Sequence, residues 1–327
     1  MPPKDPQSQD RARLVAVVVT HDRLAQLQRT VARLMEAPVE DMAAVVVVDN
    51  ASGDGTGDWL RSLNEARVDV VTLNENRGGA GGFAAGIDAA RARHDPDWIV
   101  VMDDDARPAP GALAAFHRAE RGGWDALAAA VFLPGGEIAE MNRPSRNPFG
   151  DRRIFWRTVR TGRRGFHLDA EAFEDGARMR RVDVASFVGL FLSRRALDLA
   201  GGPDPGLFLY GDDALYTVTL TARGGRIGFA PGLRFEHDCQ SLGAGGHVRS
   251  LWRFYYYHRN LIFVYRAAAG PWVWPALAVI VPRWAWSAAR HPKGGVRALR
   301  MLARALRDGV LRRTGVAHAR VRRWAGE

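Results

Sequence analysis

Four short runs of β-branched and apolar residues punctuate the first hundred positions, and each stops at a polar turn. Leu14–Thr20 (LVAVVVT), Ala43–Asp49 (AAVVVVD), Val68–Leu73 and Trp98–Met102 (WIVVM) have the length and unbroken hydrophobicity of buried strands. Between the first two, Leu24, Leu27, Val31, Leu34 and Met35 recur at helical spacing. The glycine-rich segment Asn74–Phe83 predicts a loop, followed by a helix to about Arg93. Strands alternating with helices predict right-handed βαβ units and a parallel sheet. Ligands bind such sheets beyond the carboxyl ends of the strands. The polar clusters Thr20–Arg23, Asp49–Asp54, Asn74–Gly82 and Asp103–Asp105 all fall there.

From about Pro134 to Arg181 the periodicity weakens. Eleven arginines crowd between Arg143 and Arg181, which reads as loops and at most a hairpin over the sheet. Val182–Leu192 predicts one strand. A short helix, the acidic turn Tyr210–Asp213, a helix to about Arg223 and the strand Arg226–Ala230 follow. Beyond Leu251 the chain turns aromatic and basic.

Composition narrows the class. With 47% hydrophobic and 25% charged residues, the 327-residue chain is that of a soluble globular protein. A net charge of +10 calls for an anionic partner, whether nucleic acid, a nucleotide or pyrophosphate, or an anionic membrane. The single cysteine, Cys239, excludes an internal disulfide and a cysteine-based zinc site, and it fits a reducing cytoplasm. Met1–Asp10 has no apolar stretch, so export is not expected. The longest charge-free apolar run, Ala267–Pro282, is shorter than the roughly 20 residues of a spanning helix and carries three prolines.

The chemistry concentrates in four places. Asp103, Asp104 and Asp105 follow WIVVM; residues two apart on extended backbone point the same way, so Asp103 and Asp105 can face one cation. Carboxylates at the end of a buried strand are costly without a compensating cation, and their oxygens suit Mg²⁺ or Mn²⁺. In Asn74–Phe83, the glycines at 78, 79, 81 and 82 allow close approach of a ligand, and Arg77 can meet phosphate oxygens. Asp49, at the end of the second strand, can accept from a base N–H or a ribose hydroxyl, with Asn50 beside it. Asp212 and Asp213 offer a general base and a helix cap, and His237, in Phe235–Asp238, offers a third metal ligand.

Taken together, VVVTHDR, VVDNASGDGT, NENRGGAGGF, VMDDDA, FVGLFLSRRAL, FLYGDDALY and FEHD resemble the family 2 glycosyltransferases from about Leu14 to Asn260. The resemblance implies a GT-A fold, a Rossmann-like α/β architecture with a mostly parallel sheet flanked by helices. It implies that Asp49 recognises the base and that Asp103 touches the ribose or the metal. Asp105 binds the divalent ion on the diphosphate, and Asp213 acts as base. Thr20 and Arg23 match the first-strand nucleotide contacts; Asn74, Arg77, Gly78, Gly79 and Asp104 fall in the donor-binding motifs. Gly211 stands where the family often has Trp or Glu.

The implied division is a disordered N-terminus (1–12), a catalytic domain (13–250) with donor half 13–133 and acceptor half 134–250, and a C-terminal helical region (251–327). Within the family, GGAGGF and a histidine after the GDD turn look like the galactofuranosyltransferase and rhamnosyltransferase branches of actinobacterial cell-wall synthesis. The expected reaction is inverting transfer of galactofuranose from a UDP-sugar, or of rhamnose from a dTDP-sugar, to a polyprenyl-linked glycan acceptor. Two rivals from another class, a nucleotide-sugar-binding scaffold and a nucleic-acid-binding protein, need no base. The arginines form no recognised nucleic-acid motif, so no nucleic-acid partner is expected. A nucleotidyltransferase would release pyrophosphate instead of a nucleoside diphosphate.

The last third predicts an interfacial anchor. Trp252, Trp272, Trp274, Trp284, Trp286 and Trp324 favour a headgroup region. Val296, Leu299, Leu302, Leu306 and Val310 fall on one helical face among arginines. The expected location is peripheral, on the inner face of the plasma membrane.

Overall fold

The computed structural model describes residues 11–238 and 250–327. Cys239 and most of the N-terminal segment expected to be disordered lie outside the described residues. Strands β1 (Leu14–Thr20) and β2 (Ala44–Asp49) are buried at every position, so both faces of their sheet must be covered. Helices α1 (Leu24–Met35) and α2 (Thr56–Ser62) cover one face, packing Leu27, Val31, Leu34 and Leu60 on Leu14, Ala16 and Val18. After β3 (Val68–Thr72), helix α3 (Gly78–His94) covers the other, packing Phe83, Ile87 and Ala90 on Val15, Val17 and Val19.

The glycine-rich segment is therefore largely helix, not loop. Its composition has a steric reason. A Cβ at Gly82 would stand 2.4 Å from a Val19 methyl, and one at Gly86 would meet Val17 and Val48. These glycines let α3 lie directly on the sheet.

Beyond β4 (Trp98–Asp103) the chain adds β5 (Ala106–Pro108), α4 (Ala112–Arg118) and β6 (Ala126–Phe132). The arginine-rich stretch holds helix α5 (Arg152–Thr161) where loops and a hairpin were expected. Asp151 begins it by accepting from the backbone N–H groups of Arg153 and Ile154, a local cap that outweighs the weak periodicity. The predicted strand Val182–Leu192 is two strands, β7 (Arg180–Val182) and β8 (Leu190–Ser193). Gly189, at φ +69°, turns the chain between them. Then come α6 (Arg194–Ala200), α7 (Asp212–Ala222) and β9 (Ile227–His237), which runs seven residues beyond the expected Ala230.

The sheet order is β3-β2-β1-β4-β8-β6-β9-β5, with β7 also paired to β9. The β3-β2-β1-β4 half is parallel, and β8 enters antiparallel to β4. The register between β6 and β9 shifts at Ala129/Ala130. Past that irregularity β9 continues along β5, pairing His237 with Ala106 and carrying the histidine to the aspartate cluster.

Four helices complete the chain: α8 (Leu251–Ala269), α9 (Val273–Ala289), α10 (Gly295–Val310) and α11 (His318–Ala325). Two expectations change here. Pro282 lies inside α9 and does not end it, so Leu251–Ala289 is long and apolar enough to cross a membrane by length and composition, with 22% of its most apolar window buried. The predicted apolar side of α10 divides: Leu302 is buried with Ala298, Met301 and Ala305, and Leu306 packs beside them, whereas Val296, Leu299 and Val310 are exposed. Trp252, Trp284 and Trp324 also pack against this inner cluster, whereas Trp272, Trp274 and Trp286 are more than half exposed.

Candidate active site

Parallel pairing brings Thr20, Asp49 and Thr72 level at one sheet edge, with Asp103 at the end of β4 beside Val19. The chain turns at Asp104 and Asp105, so the three aspartates part. Ligand atoms of Asp103, Asp105 and His237 lie within 4.8 Å of one another. Asp104 points elsewhere: it accepts from Thr20 Oγ1 at 2.7 Å and lies 3.4 Å from Arg23. Thr30 Oγ1 donates to its carbonyl. Arg23 also reaches Asp105 at 2.5 Å. Thr20 and Arg23 thus hold the acidic turn in place.

The donor set fits a divalent cation. Asn142 Oδ1 lies 2.8 Å from His237 Nδ1, and an amide oxygen only accepts, so that nitrogen carries the hydrogen. The Asn142 amide nitrogen in turn donates to Ser186. His237 Nε2 is left 3.1 Å from Asp105 Oδ1, where its lone pair faces a carboxylate. A second proton or a cation relieves that opposition. Burial works against the imidazolium, yet Asp105 and Asp103 raise His237 above its ordinary value. Burial, with Asp105 beside it, pushes Asp103 up to about 7. Two hard carboxylate oxygens and an imidazole whose far nitrogen is tethered suit a divalent metal.

The other donor-side residues have structural partners of their own. Asp49 is buried and accepts from Ser52 N. Asn50 donates to the Gly78 carbonyl and accepts from Arg77 N, fixing the entry to α3. Asn74 and Arg77 are exposed. Gly78, at φ +68°, is approached by the Phe208 backbone so closely that a Cβ would stand 1.9 Å from its carbonyl oxygen. Gly79 has open space beside it and faces the cavity.

The second acidic pair sits on a strained turn. Phe208 and Tyr210 have φ of +66° and +69°, and Gly211 follows at +75°. Gly211 takes this conformation without a Cβ penalty, which accounts for a glycine immediately before the aspartates. Residues of α8 hold the turn. Asn260 Nδ2 lies 3.0, 2.9 and 2.7 Å from the carbonyls of Leu207, Leu209 and Tyr210. The buried Arg259 donates to Gly206 and Leu207.

Burial, followed by the neighbouring Asp213, pushes Asp212 up to about 8. Asp213 is raised by burial to about 6, held down by backbone N–H donors at Ala214 and Phe187. Of the two, Asp213 is the one ionised near neutrality.

Both carboxylates, with Gly79, Asp103 and His237, line a cavity of about 1580 Å³. The arginine-rich stretch and the segments of α8 and α9 also contribute to its lining, through residues such as Arg163, Tyr257, Trp284 and Arg290. Sequence periodicity had no means of finding Asn142, which lies in the single 3₁₀ turn Glu140–Asn142, or the α8 pair Arg259-Asn260, which the pattern assigned to a separate region.

Comparison with known proteins agrees with this geometry. The family model for glycosyl transferase family 2 matches residues 15–185. A galactofuranosyltransferase, GlfT1, of Mycobacterium tuberculosis is 30% identical over 69% of this chain and 70% of its own. The undecaprenyl-phosphate mannosyltransferase of Micrococcus luteus is 28% identical over 66% of this chain and 79% of its own. Among solved structures, the mannosyltransferase PcManGT of Pyrobaculum calidifontis, in complex with GDP-Man and Mn²⁺, is similar at a TM-score of 0.52 and 17% identity. It covers 94% of this chain and 88% of that one. GalNAc-T7 with UDP, GalNAc and Mn²⁺ is similar at 0.54 and 14%, covering 78% and 48%. The fold is a mixed α/β, GT-A-like one.

Proposed function

The chain belongs to glycosyl transferase family 2, and from that premise we propose an inverting transfer of one sugar from a nucleoside diphosphate donor to a hydroxyl of a lipid-linked glycan. One observation carries the reading: a carboxylate–imidazole group suited to a divalent ion and the half-buried Asp213 line the same cavity. Mn²⁺ or Mg²⁺ would be held by Asp103, Asp105 and His237, where it supplies positive charge to the leaving diphosphate.

The protein's own residues do the rest. Thr20, Arg23 and Asp104 brace the acidic turn, and Asn142 keeps His237 Nε2 directed at Asp103 and Asp105. Asp49, at the neighbouring strand end, takes the base or ribose. Asp213 accepts the proton of the acceptor hydroxyl as it attacks the anomeric carbon from the side opposite the diphosphate. Galactofuranose from UDP-galactofuranose is the favoured sugar, on the similarity to GlfT1; rhamnose from dTDP-rhamnose is the second reading.

The exposed tryptophans of α9 support attachment to an anionic membrane surface, where a polyprenyl-linked acceptor resides. On this reading 13–250 is the catalytic domain and 251–327 its interfacial extension. The decisive assay offers purified protein a panel of UDP- and dTDP-sugars with Mn²⁺ and a polyprenyl-linked acceptor. Acceptor-dependent release of a nucleoside diphosphate, abolished by EDTA, is expected. Release of inorganic pyrophosphate, or turnover undiminished in EDTA, would overturn the reading.

A further inference from the structure

The cavity is larger than one ligand requires. Small-molecule sites commonly occupy about 300–1,000 Å³, and this one offers about 1580 Å³. Its lining carries both charges: Asp103, Asp212, Asp213 and His237 on the one hand, and Arg163, Arg164 and Arg290 on the other.

These arginines come from separate elements. Arg163 and Arg164 follow α5, and Arg290 follows α9. Among the described residues none of them makes a contact ion pair with a carboxylate, unlike Arg143 nearby, which is paired with Glu140; Arg163 acts on that same carboxylate from farther away. Guanidinium groups do not shed their charge, so three exposed ones lining a single cavity offer an anion fixed positive charge and fork-shaped donors. Trp286 lies against Arg290, 3.6 Å from ring centroid to guanidinium carbon, which fixes the orientation of that fork. Trp284 and Trp286 line the same cavity, and α9 also exposes the apolar side chains of Trp274 and Val279.

We propose that Arg163, Arg164 and Arg290 form a subsite for the phosphate or diphosphate of an isoprenoid-linked acceptor. The anion seats on the guanidinium forks, the lipid leaves over Trp284 and Trp286, and the glycan reaches back to Asp213. This rests on the glycosyl-transfer reading for the identity of the ligand, but the binding itself does not need turnover.

The test is isothermal titration of the full chain in EDTA, which keeps any metal-dependent donor site out of the measurement. Farnesyl diphosphate, farnesol and inorganic pyrophosphate are the probes. Farnesyl diphosphate is expected to bind at least tenfold more tightly than farnesol. Removing a charge-assisted contact should weaken it about tenfold or more in Arg163→Gln/Arg164→Gln and, separately, in Arg290→Gln. Arg290→Lys, which keeps the charge but loses the fork, should fall between. Farnesol binding should be unchanged in all three, which also shows that they are folded. Pyrophosphate binding as tightly as farnesyl diphosphate would limit the site to a free phosphate anion and overturn the lipid part. Equal binding of farnesol and farnesyl diphosphate by the wild type, or wild-type affinity in the glutamine variants, would overturn the subsite. Failure of the donor panel to yield a nucleoside diphosphate would reject the reaction and leave this measurement standing.

Discussion

Replacing Asn260 by alanine should disable the active site from a helix that carries none of the acidic residues. Asn260 is 1% exposed, and its amide nitrogen faces the carbonyls of Leu207, Leu209 and Tyr210. Leu207 keeps a donor in Arg259 at 2.8 Å, so the substitution strands the Leu209 and Tyr210 oxygens. A fully buried acceptor left unpaired costs about 1–3 kcal/mol, which sets an upper limit of roughly 2–6 kcal/mol for these two partly buried oxygens. The turn these bonds restrain stores strain of similar size, of order 1–3 kcal/mol for each of Phe208 and Tyr210 at positive φ. Without the amide, the cheaper course is for the turn to relax, moving Asp212 and Asp213.

A displacement near 1 Å costs about a hundredfold in rate where reacting groups must align. Turnover should therefore fall by about 10²-fold while donor KM changes little, because Thr20, Asp49 and Asp103 belong to other elements. Nucleoside diphosphate release gives both constants, and hydrogen exchange at Leu207–Gly211 should accelerate. A variant with turnover within threefold of wild type and unchanged exchange would refute the clamp.

Further outcomes follow from the geometry. Asn142→Ala frees the His237 ring and should raise the Mn²⁺ concentration for half-maximal activity by about 10–100-fold; an unchanged titration would deny it that role. Asp213→Asn should keep donor affinity and lose about 10²-fold or more in turnover. In the wild type, protonating Asp213 removes the base, so kcat/KM should decline as pH falls through about 6, and a rate flat to pH 5 would contradict this. His258 is held neutral by burial, its pKa pushed down to about 4. The unfolded chain takes up that proton first, so stability present above about pH 6.5 should be lost towards pH 4, by about 3 kcal/mol; a His258→Gln denaturation series should lack this slope. Trp272→Ala/Trp274→Ala should reduce flotation with anionic liposomes, and equal flotation would reject α9 as the anchor.

The parallel half of the sheet was legible because β1, β2 and β4 are buried on both faces and so read as continuous apolar runs. The triad was legible in part: Asp103 and Asp105 share a segment, but His237 joins them only because β9 passes its irregularity and pairs with β5. The glycines of α3 misled for an understandable reason. Absence of a Cβ serves a loop near a ligand and a helix pressed on valines equally well, and only the neighbours at Val17, Val19 and Val48 distinguish the two. The C-terminal helices misled similarly. Periodicity placed Leu299 and Leu302 on one apolar face, and the fold divides them, burying Leu302 against α8 and leaving Leu299 exposed.

The turn before α7 is also where the start of α3 and the C-terminal helices meet. Phe208 is held from one side by Gly78, whose missing Cβ admits the Phe208 carbonyl, and that carbonyl accepts from Ala80 N at 3.3 Å. From the other side its ring stacks on Tyr256 of α8 and on His318 of α11. The start of the donor-side helix and the C-terminal helices therefore meet on one residue, four positions before Asp212. A side chain at position 78 would displace Phe208, within the same turn that Asn260 restrains at Leu207, Leu209 and Tyr210. Glycine at 78 is required by the acidic turn as much as by any ligand, and this coupling ties the C-terminal helices to the site mechanically.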